Sequence, residues 1–304
     1  MRGFPARKKG NAEVSSLKLF ALSLITSLLS SAVAAPTENT NPELRQFAEL
    51  EARTGSQIGV AAIDISTKRG VDYRANERFL MCSTFKAMAV AAVLQRVDQK
   101  KEKLDRFVTY GEAQLLEYAP VTRAHVKEGG MTLEALCEAA IRQSDNTAAN
   151  LLLNVLGGPK GFTEFARSLG DEFTRLDRME PELNMGSAGD ERDTTTPAAM
   201  AKDLQRLFTS DVLTVESRKR LEDWMAANET GTRMIRASVP AGWRVGDKTG
   251  RSGKGATNDI AILRPPTGEP IFMAIYTNAP NESSEGREKL VAEVARIALE
   301  ALAK

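Results

Sequence analysis

Apolar positions along this chain recur every three to four residues in some segments and gather in short strand-like runs in others, and these patterns divide it into a mixed region, a helical region and a second mixed region. Residues 40–43 (Thr-Asn-Pro-Glu) combine a polar cap, a first-turn proline and an acid beside the positive end of a helix dipole. Leu44, Phe47 and Leu50 follow at helical spacing, which predicts a helix there. Residues 58–66 (IGVAAIDIS) and 70–74 read as two strands joined by a turn at Thr67, Lys68 and Arg69. A long apolar helix is predicted from near Ser83 to about Val97. From about residue 100 to 228 the reading is nearly all helical, with segments near 132–142, 145–156, 160–169, 197–208 and 215–228. Residues 178–193 (RMEPELNMGSAGDERD) interrupt it with a polar, Pro/Gly-punctuated stretch, and loops of that length in compact domains are usually functional. Strands are predicted at 244–251, 257–263 and 271–277, and Leu290, Val291, Val294, Ile297 and Leu299 mark a closing helix.

Short connections between the last three strands require antiparallel pairing. The first two strands complete the same sheet in this reading, giving an α/β fold of the α+β type. It has an antiparallel five-stranded sheet lobe built from both ends of the chain and an inserted all-helical lobe, about 83–228, with a cleft between them.

Charge and composition narrow the chemistry. The chain has 41 Lys+Arg against 40 Asp+Glu, a balance of +1 that argues against a nucleic-acid partner. The single histidine, His125, rules out a multi-histidine zinc site, and among its neighbours it reads as a surface residue. Two cysteines, Cys82 and Cys137, cannot build a disulfide scaffold. Residues 1–34 carry Arg2, Arg7, Lys8, Lys9 and Lys18 but only Glu13 as an acid, and the balance without them is −3. An apolar run from Leu19 to Leu29 and the small residues Ala32-Val33-Ala34 complete an export-signal layout, with cleavage expected between Ala34 and Ala35. The apolar run is too short for a stable membrane anchor. One catalytic domain, 35–304, is expected in the mature protein, which is taken to be an exported, periplasmic or secreted monomer.

Four short patterns occur in order: Ser83-Thr84-Phe85-Lys86, Ser144-Asp145-Asn146, Glu180-Pro181-Glu182-Leu183-Asn184 and Lys248-Thr249-Gly250. A lone S-x-x-K arises by chance roughly once in a chain of this size, but the four in order should do so in fewer than about one chain in a thousand. By itself, Ser144-Asp145-Asn146 reads as a helix cap before Thr147-Ala148-Ala149, and both readings can hold. With all four in order, the chain resembles a class A serine β-lactamase over essentially its whole mature length.

The resemblance implies hydrolysis of β-lactams through an acyl-enzyme on Ser83, with no metal or other cofactor and a small-molecule β-lactam as the partner. Lys86 lies on the same helical face as Ser83 and can activate it only if burial and a neighbour such as Lys248 lower its pKa. The N–H groups of Ser83 and Arg251 would form a two-donor oxyanion hole. Ser144 would relay a proton to the leaving nitrogen, Asn146 would bind the substrate's side-chain amide, and Asp145 reads as a backbone tether. Glu180, with Asn184, would hold the deacylating water, and a cis bond to Pro181 would turn the acid inward. Arg178 and Asp193 would pair to close the loop. Whether Lys86 or Glu180 is the acylation base stays open. Lys248, Thr249 and Gly250 would take the substrate carboxylate and backbone, with Tyr118 as an aromatic wall and Arg251 and Ser252 beside them.

Departures from the family pattern accompany it. Cys137 has Val90 where one known bridge would need its partner, and Cys82 has Ser252 where another would, so both thiols are expected free and buried. Cys82, Ser252 and Asn258-Asp259 look more like the extended-spectrum cephalosporinase subgroup. The arginine that usually assists the substrate carboxylate is not in its usual places; Arg233, Arg251 and Arg287 are the candidates. Two other readings share part of the pattern, a penicillin-binding DD-peptidase and a β-lactam sensor that stays acylated, and neither uses a deacylating acid.

Overall fold

The computed structural model describes Gly3 and residues 41–186 and 189–304, and residues 39–304 form one compact unit. The expected export signal and its cleavage site lie outside the described residues. In chain order the first half comprises α1 (Pro42–Thr54), β1 (Gln57–Asp64), β2 (Gly70–Tyr73), β3 (Phe79–Leu80), α2 (Phe85–Asp98), β4 (Phe107–Thr109), α3 (Pro120–His125), β5 (Gly130–Thr132), α4 (Leu133–Arg142) and α5 (Asn146–Leu156). Then follow α6 (Pro159–Ser168), β6 (Thr194–Thr195), α7 (Pro197–Thr209), α8 (Val215–Ala226), β7 (Arg244–Arg251), β8 (Ala256–Arg264), β9 (Ile271–Asn278) and α9 (Ser284–Ala303).

Five strands form one antiparallel sheet in the order β2-β1-β9-β8-β7, so the two chain ends meet where β1 pairs with β9. The sheet is covered on both faces, and its strands read as continuous apolar runs for that reason. In β9, Phe272, Ala274 and Tyr276 join the core shared with the helices between α2 and α8, whereas Ile271, Met273 and Ile275 join a second core with α1 and α9. Helix α2 is buried along Phe85–Leu94, on every face, with Lys86 the one charged side chain in that run.

The central block is less purely helical than the periodicity predicts. β4 pairs with β5 and β3 with β6, short ladders of three and two residues that carry no legible alternation. Asn41 sits at the N-cap of α1, but its side chain makes no capping hydrogen bond. Among the described residues no helix is long and apolar enough to cross a membrane.

Candidate active site

Ser83 lies in a single 3-10 turn, Cys82–Thr84, that leads into α2. Cys82 there has φ +46°, a left-handed conformation that costs a non-glycine residue about 1–3 kcal/mol. Neighbouring elements hold the turn: Asn258 Nδ2 of β8 donates to Leu80 O at 2.7 Å and to Met81 O at 3.2 Å. Gly250 of β7 comes so close that a Cβ there would stand 2.7 Å from Met81 O and 3.0 Å from Ser83 N. A side chain at 250 would push the strand off the serine turn.

Lys86, one helical turn on, is fully buried. Its Nζ donates to Ser144 O at 2.8 Å, to Ser144 Oγ at 3.3 Å and to Asn146 Oδ1 at 2.6 Å. It also lies 3.2 Å from Glu180 Oε1, the oxygen that accepts from Ser83 Oγ at 3.3 Å. Burial pushes the Lys86 pKa below its ordinary value, against the pull of the Glu180 charge and hydrogen bond. Lys248, also fully buried, donates to the same Ser144 Oγ at 3.0 Å and to Thr249 O at 2.9 Å. Burial first, and the positive charge of Lys86 second, bring its pKa down to about 7. One serine hydroxyl thus connects two buried lysines.

Ser144 is itself left-handed at φ +57°. The next residue fixes it: Asp145 is buried and caps α5 through Ala148 N at 2.8 Å, and it accepts from Val121 N at 3.0 Å and Thr122 N at 2.9 Å. Asn146 N donates to Tyr118 O at 3.0 Å, which hangs the Tyr118 segment beside the site, and the Tyr118 residue is 52% exposed.

The interrupting loop brings Glu180 in from the other side. Its ends are closed by Arg178 Nε donating to Asp193 Oδ2 at 2.5 Å and by Arg175 N donating to Thr194 O at 3.0 Å. The Glu180–Pro181 bond is cis, and Glu180 is 2% exposed. Asn184 Nδ2 donates to Glu180 Oε2 at 2.7 Å, while Asn184 Oδ1 is buried without a protein partner.

Ser83, Lys86, Ser144, Asn146, Glu180, Asn184 and Lys248 therefore form one connected cluster. Thr249 adjoins it and donates to or accepts from Thr230 Oγ1 at 2.5 Å. Arg251 and Ser252 stand at its edge with their side chains otherwise engaged. The Arg251 guanidinium bonds Glu288 Oε1 at 2.6 Å, and the Ser252 hydroxyl accepts from Lys254 N and Ala256 N in the β7–β8 turn, both at 3.2 Å. Of the other arginine candidates, Arg233 bonds the same Glu288 at 2.5 Å and Arg287 stands near the start of α9. His125 bonds Glu128 at 2.8 Å, away from this cluster's hydrogen bonds. Cys82 and Cys137 are both buried free thiols.

Two contributors are absent from the sequence reading. Asn150 clasps the backbone of Glu180, donating to its O and accepting from its N, both at 2.9 Å. It stands four residues after Asn146, on the same face of α5, and that spacing is the signal that could have found it. Thr230, which backs Thr249, has no comparable signal.

A profile of the beta-lactamase enzyme family matches residues 43–302. The chain is 46% identical over 276 residues to Beta-lactamase AST-1 of Nocardia asteroides, covering 91% of this chain and 86% of that protein. It is 46% identical over 290 residues to Beta-lactamase L2 of Stenotrophomonas maltophilia, covering 95% of each. It is also 46% identical over 267 residues to the carbapenem-hydrolyzing beta-lactamase KPC of Klebsiella oxytoca, covering 88% of this chain and 91% of that one. Among solved structures, an ancestral class A beta-lactamase (GNCA) superposes with a TM-score of 0.83 at 56% identity, covering 85% of this chain and 99% of the other.

Proposed function

The chain belongs to the class A β-lactamase family, and on that premise we propose that it hydrolyses β-lactams in two steps, through an ester on Ser83 that Glu180 deacylates. Ser83 Oγ attacks the lactam carbonyl carbon, and its proton is taken up by the Lys86–Glu180 pair, in which Glu180 Oε1 accepts from the hydroxyl and Lys86 Nζ lies 3.2 Å from the same oxygen. The N–H groups of Ser83 and Arg251 receive the developing oxyanion, a contribution of about 3–4 kcal/mol per donor. The C–N bond breaks, and Ser144 Oγ passes a proton to the departing nitrogen while Lys86 hands Ser144 the proton that came from Ser83, which leaves Glu180 a carboxylate again. A water held between Glu180 and Asn184 Oδ1 then adds to the ester carbonyl; Glu180 takes its proton and returns it to Ser83 Oγ as the ester bond breaks, restoring the hydroxyl and the carboxylate.

Lys248 and Thr249 are the cation and hydroxyl for the substrate carboxylate, with Gly250 leaving room for an extended substrate along β7. Tyr118 walls the mouth, Asn146 takes the side-chain amide, and Ser252 lines the far edge.

The observation that carries this reading is the buried Glu180 carboxylate, one oxygen on Ser83 and Lys86 and the other on Asn184. A peptidase or a sensor has no use for an acid in that position. Steady-state turnover of a chromogenic cephalosporin by purified protein tests it: sustained hydrolysis is expected, and a single stoichiometric burst would replace it with one of those readings.

Export is part of the same proposal. Residues 1–34 are read as a signal removed between Ala34 and Ala35, leaving a monomeric catalytic domain, on the strength of the basic stretch, the short apolar run and Ala32-Val33-Ala34. N-terminal sequencing of exported protein decides it, and an active form that retains residues 1–34 would overturn it.

A further inference from the structure

Behind the site, at the entry of the loop that carries Glu180, two acids, Asp171 and Asp203, meet in a side-chain hydrogen bond, and among the described residues neither has a cation hydrogen-bonded to it. Asp171 follows α6 and is buried; its Oδ1 accepts from Phe173 N at 2.7 Å and Thr174 N at 3.0 Å, while its Oδ2 is buried without a donor. Asp203 stands on α7, the helix that begins just past the loop's exit, and it too is buried with an Oδ2 that has no donor. Two buried carboxylates in contact cannot both ionise, and a single proton between them gives each a hydrogen-bond partner.

We infer that Asp171 and Asp203 share one proton and act as positioning residues for Glu180, their hydrogen bond tying the entry of the loop to the helix after its exit. The pair forms the first of a series of cross-links. Thr174 Oγ1 and Thr195 Oγ1 lie 2.6 Å apart, Arg175 N bonds Thr194 O, and Arg178 bonds Asp193, two residues short of Glu180. The role in catalysis rests on the reading of Glu180 given above; the shared proton does not.

Asp203 carries the proton. Burial, then the charge of Asp171 and a hydrogen bond to it, push its pKa up to about 9, against Arg206 and Lys202 of its own helix. From the sheet side, Tyr276 of β9 faces the same pocket; its hydroxyl bonds Thr84 Oγ1 at 3.0 Å, and its own pKa is raised, by burial first and in small part by the two acids. Arg167, on the α6 side, is spent on the backbone, donating to Asp171 O at 2.6 Å and Thr174 O at 2.7 Å. In the unfolded chain Asp203 titrates near its ordinary value of 3.8. Its contribution is therefore fully present below that pH and is lost as pH rises through about 9, the folding constant falling about tenfold per pH unit in between.

The test is unfolding by urea, without substrate, between pH 5 and 10 for the protein, Asp203→Asn and Asp171→Asn. Asparagine at 203 donates the same hydrogen bond without a proton to lose. The folding constant of Asp203→Asn relative to the parent is expected to climb about tenfold per pH unit up to about pH 9. Parallel curves overturn the proposal. If Asp203→Asn does not fold, Asp171→Asn removes the neighbouring charge and should move the parent's alkaline loss to lower pH; an unmoved loss overturns it equally. The positioning role is read from kcat at pH 9.5, where the parent should accumulate acyl-enzyme and Asp203→Asn should accumulate less of it, the alkaline loss due to Lys86 and Lys248 being common to both. If the stability curves diverge as expected and kcat does not, the shared proton stands and the positioning role falls. A protein that turns over normally without Glu180 would leave the unfolding result untouched and remove only the assignment of Glu180.

Discussion

The buried floor of the candidate site and its exposed rim are built on opposite principles. On the floor, Lys86 and Lys248 are fully buried and Glu180 nearly so, and each is held by more than one protein group. At the rim, Tyr118 is 52% exposed and the Arg251 side chain is 41% exposed, each anchored at one end with the other in solvent. A low local dielectric strengthens every interaction on the floor, so a proton gained or lost there changes the whole network. Water screens the rim, where a lost contact is partly replaced by hydration. On the proposed function, chemistry belongs to the floor and substrate preference to the rim, and substitutions in the two regions should differ in kind as well as in size.

Ser83→Ala should give the largest effect. No covalent adduct should form by mass spectrometry, and turnover should fall by roughly a millionfold, the scale seen when a serine nucleophile is deleted. An adduct in this variant would move the nucleophile elsewhere. Glu180→Ala comes next: Ser83, Lys86 and the oxyanion donors remain, so acylation should continue while deacylation slows by about 10²–10⁴-fold. Substrate mass should then persist on the chain. Normal turnover would detach Glu180 from the second step, and a failure to acylate would make it the base of the first.

Lys248 offers a subtler comparison, because its pKa near 7 makes its charge conditional. The lysine binds a carboxylate only as an ammonium, so kcat/KM should decline as pH rises above about 7. Lys248→Arg should flatten that decline, since a guanidinium stays charged to beyond about pH 12. An unchanged pH profile in the variant would assign the decline to Lys86. At the rim, Arg251→Ala should change KM by less than about tenfold and leave kcat nearly intact, because its ion pair to Glu288 is partly exposed. A hundredfold loss of kcat would place Arg251 with the floor. The smallest effect concerns the thiols: titration after denaturation should count two, matching Cys82 and Cys137 buried and free, with burial raising both thiol pKa values. A count of zero at monomer mass would require the two to be bridged.

Much of this contrast is visible before folding. The four motifs name residues on the floor, and their order along the chain suffices because each is a local cluster of chemically rare composition. Rim residues stand in ordinary company, and Arg251 gives no local sign that its guanidinium turns to Glu288, thirty-seven residues away. Asn150 carried a usable signal in its spacing from Asn146, but its partner, the Glu180 backbone, lies on another element.

By itself the sequence determined the elements that neighbouring residues control. The short strand-like runs became β1, β7, β8 and β9, the apolar run after Ser83 became the buried α2, and Thr132, Asp145, Thr196, Thr214 and Ser283 cap the helices that follow them. Tertiary structure alone decided which charges meet. Ser144 Oγ lies between Lys86 and Lys248, which stand 58 and 104 residues from it along the chain, and Asp171 faces Asp203 across the root of the loop. A lysine or an aspartate has an ordinary pKa wherever water reaches it. Only the packing of both lobes removes the water and sets the distances, and those two quantities fix which groups here are charged.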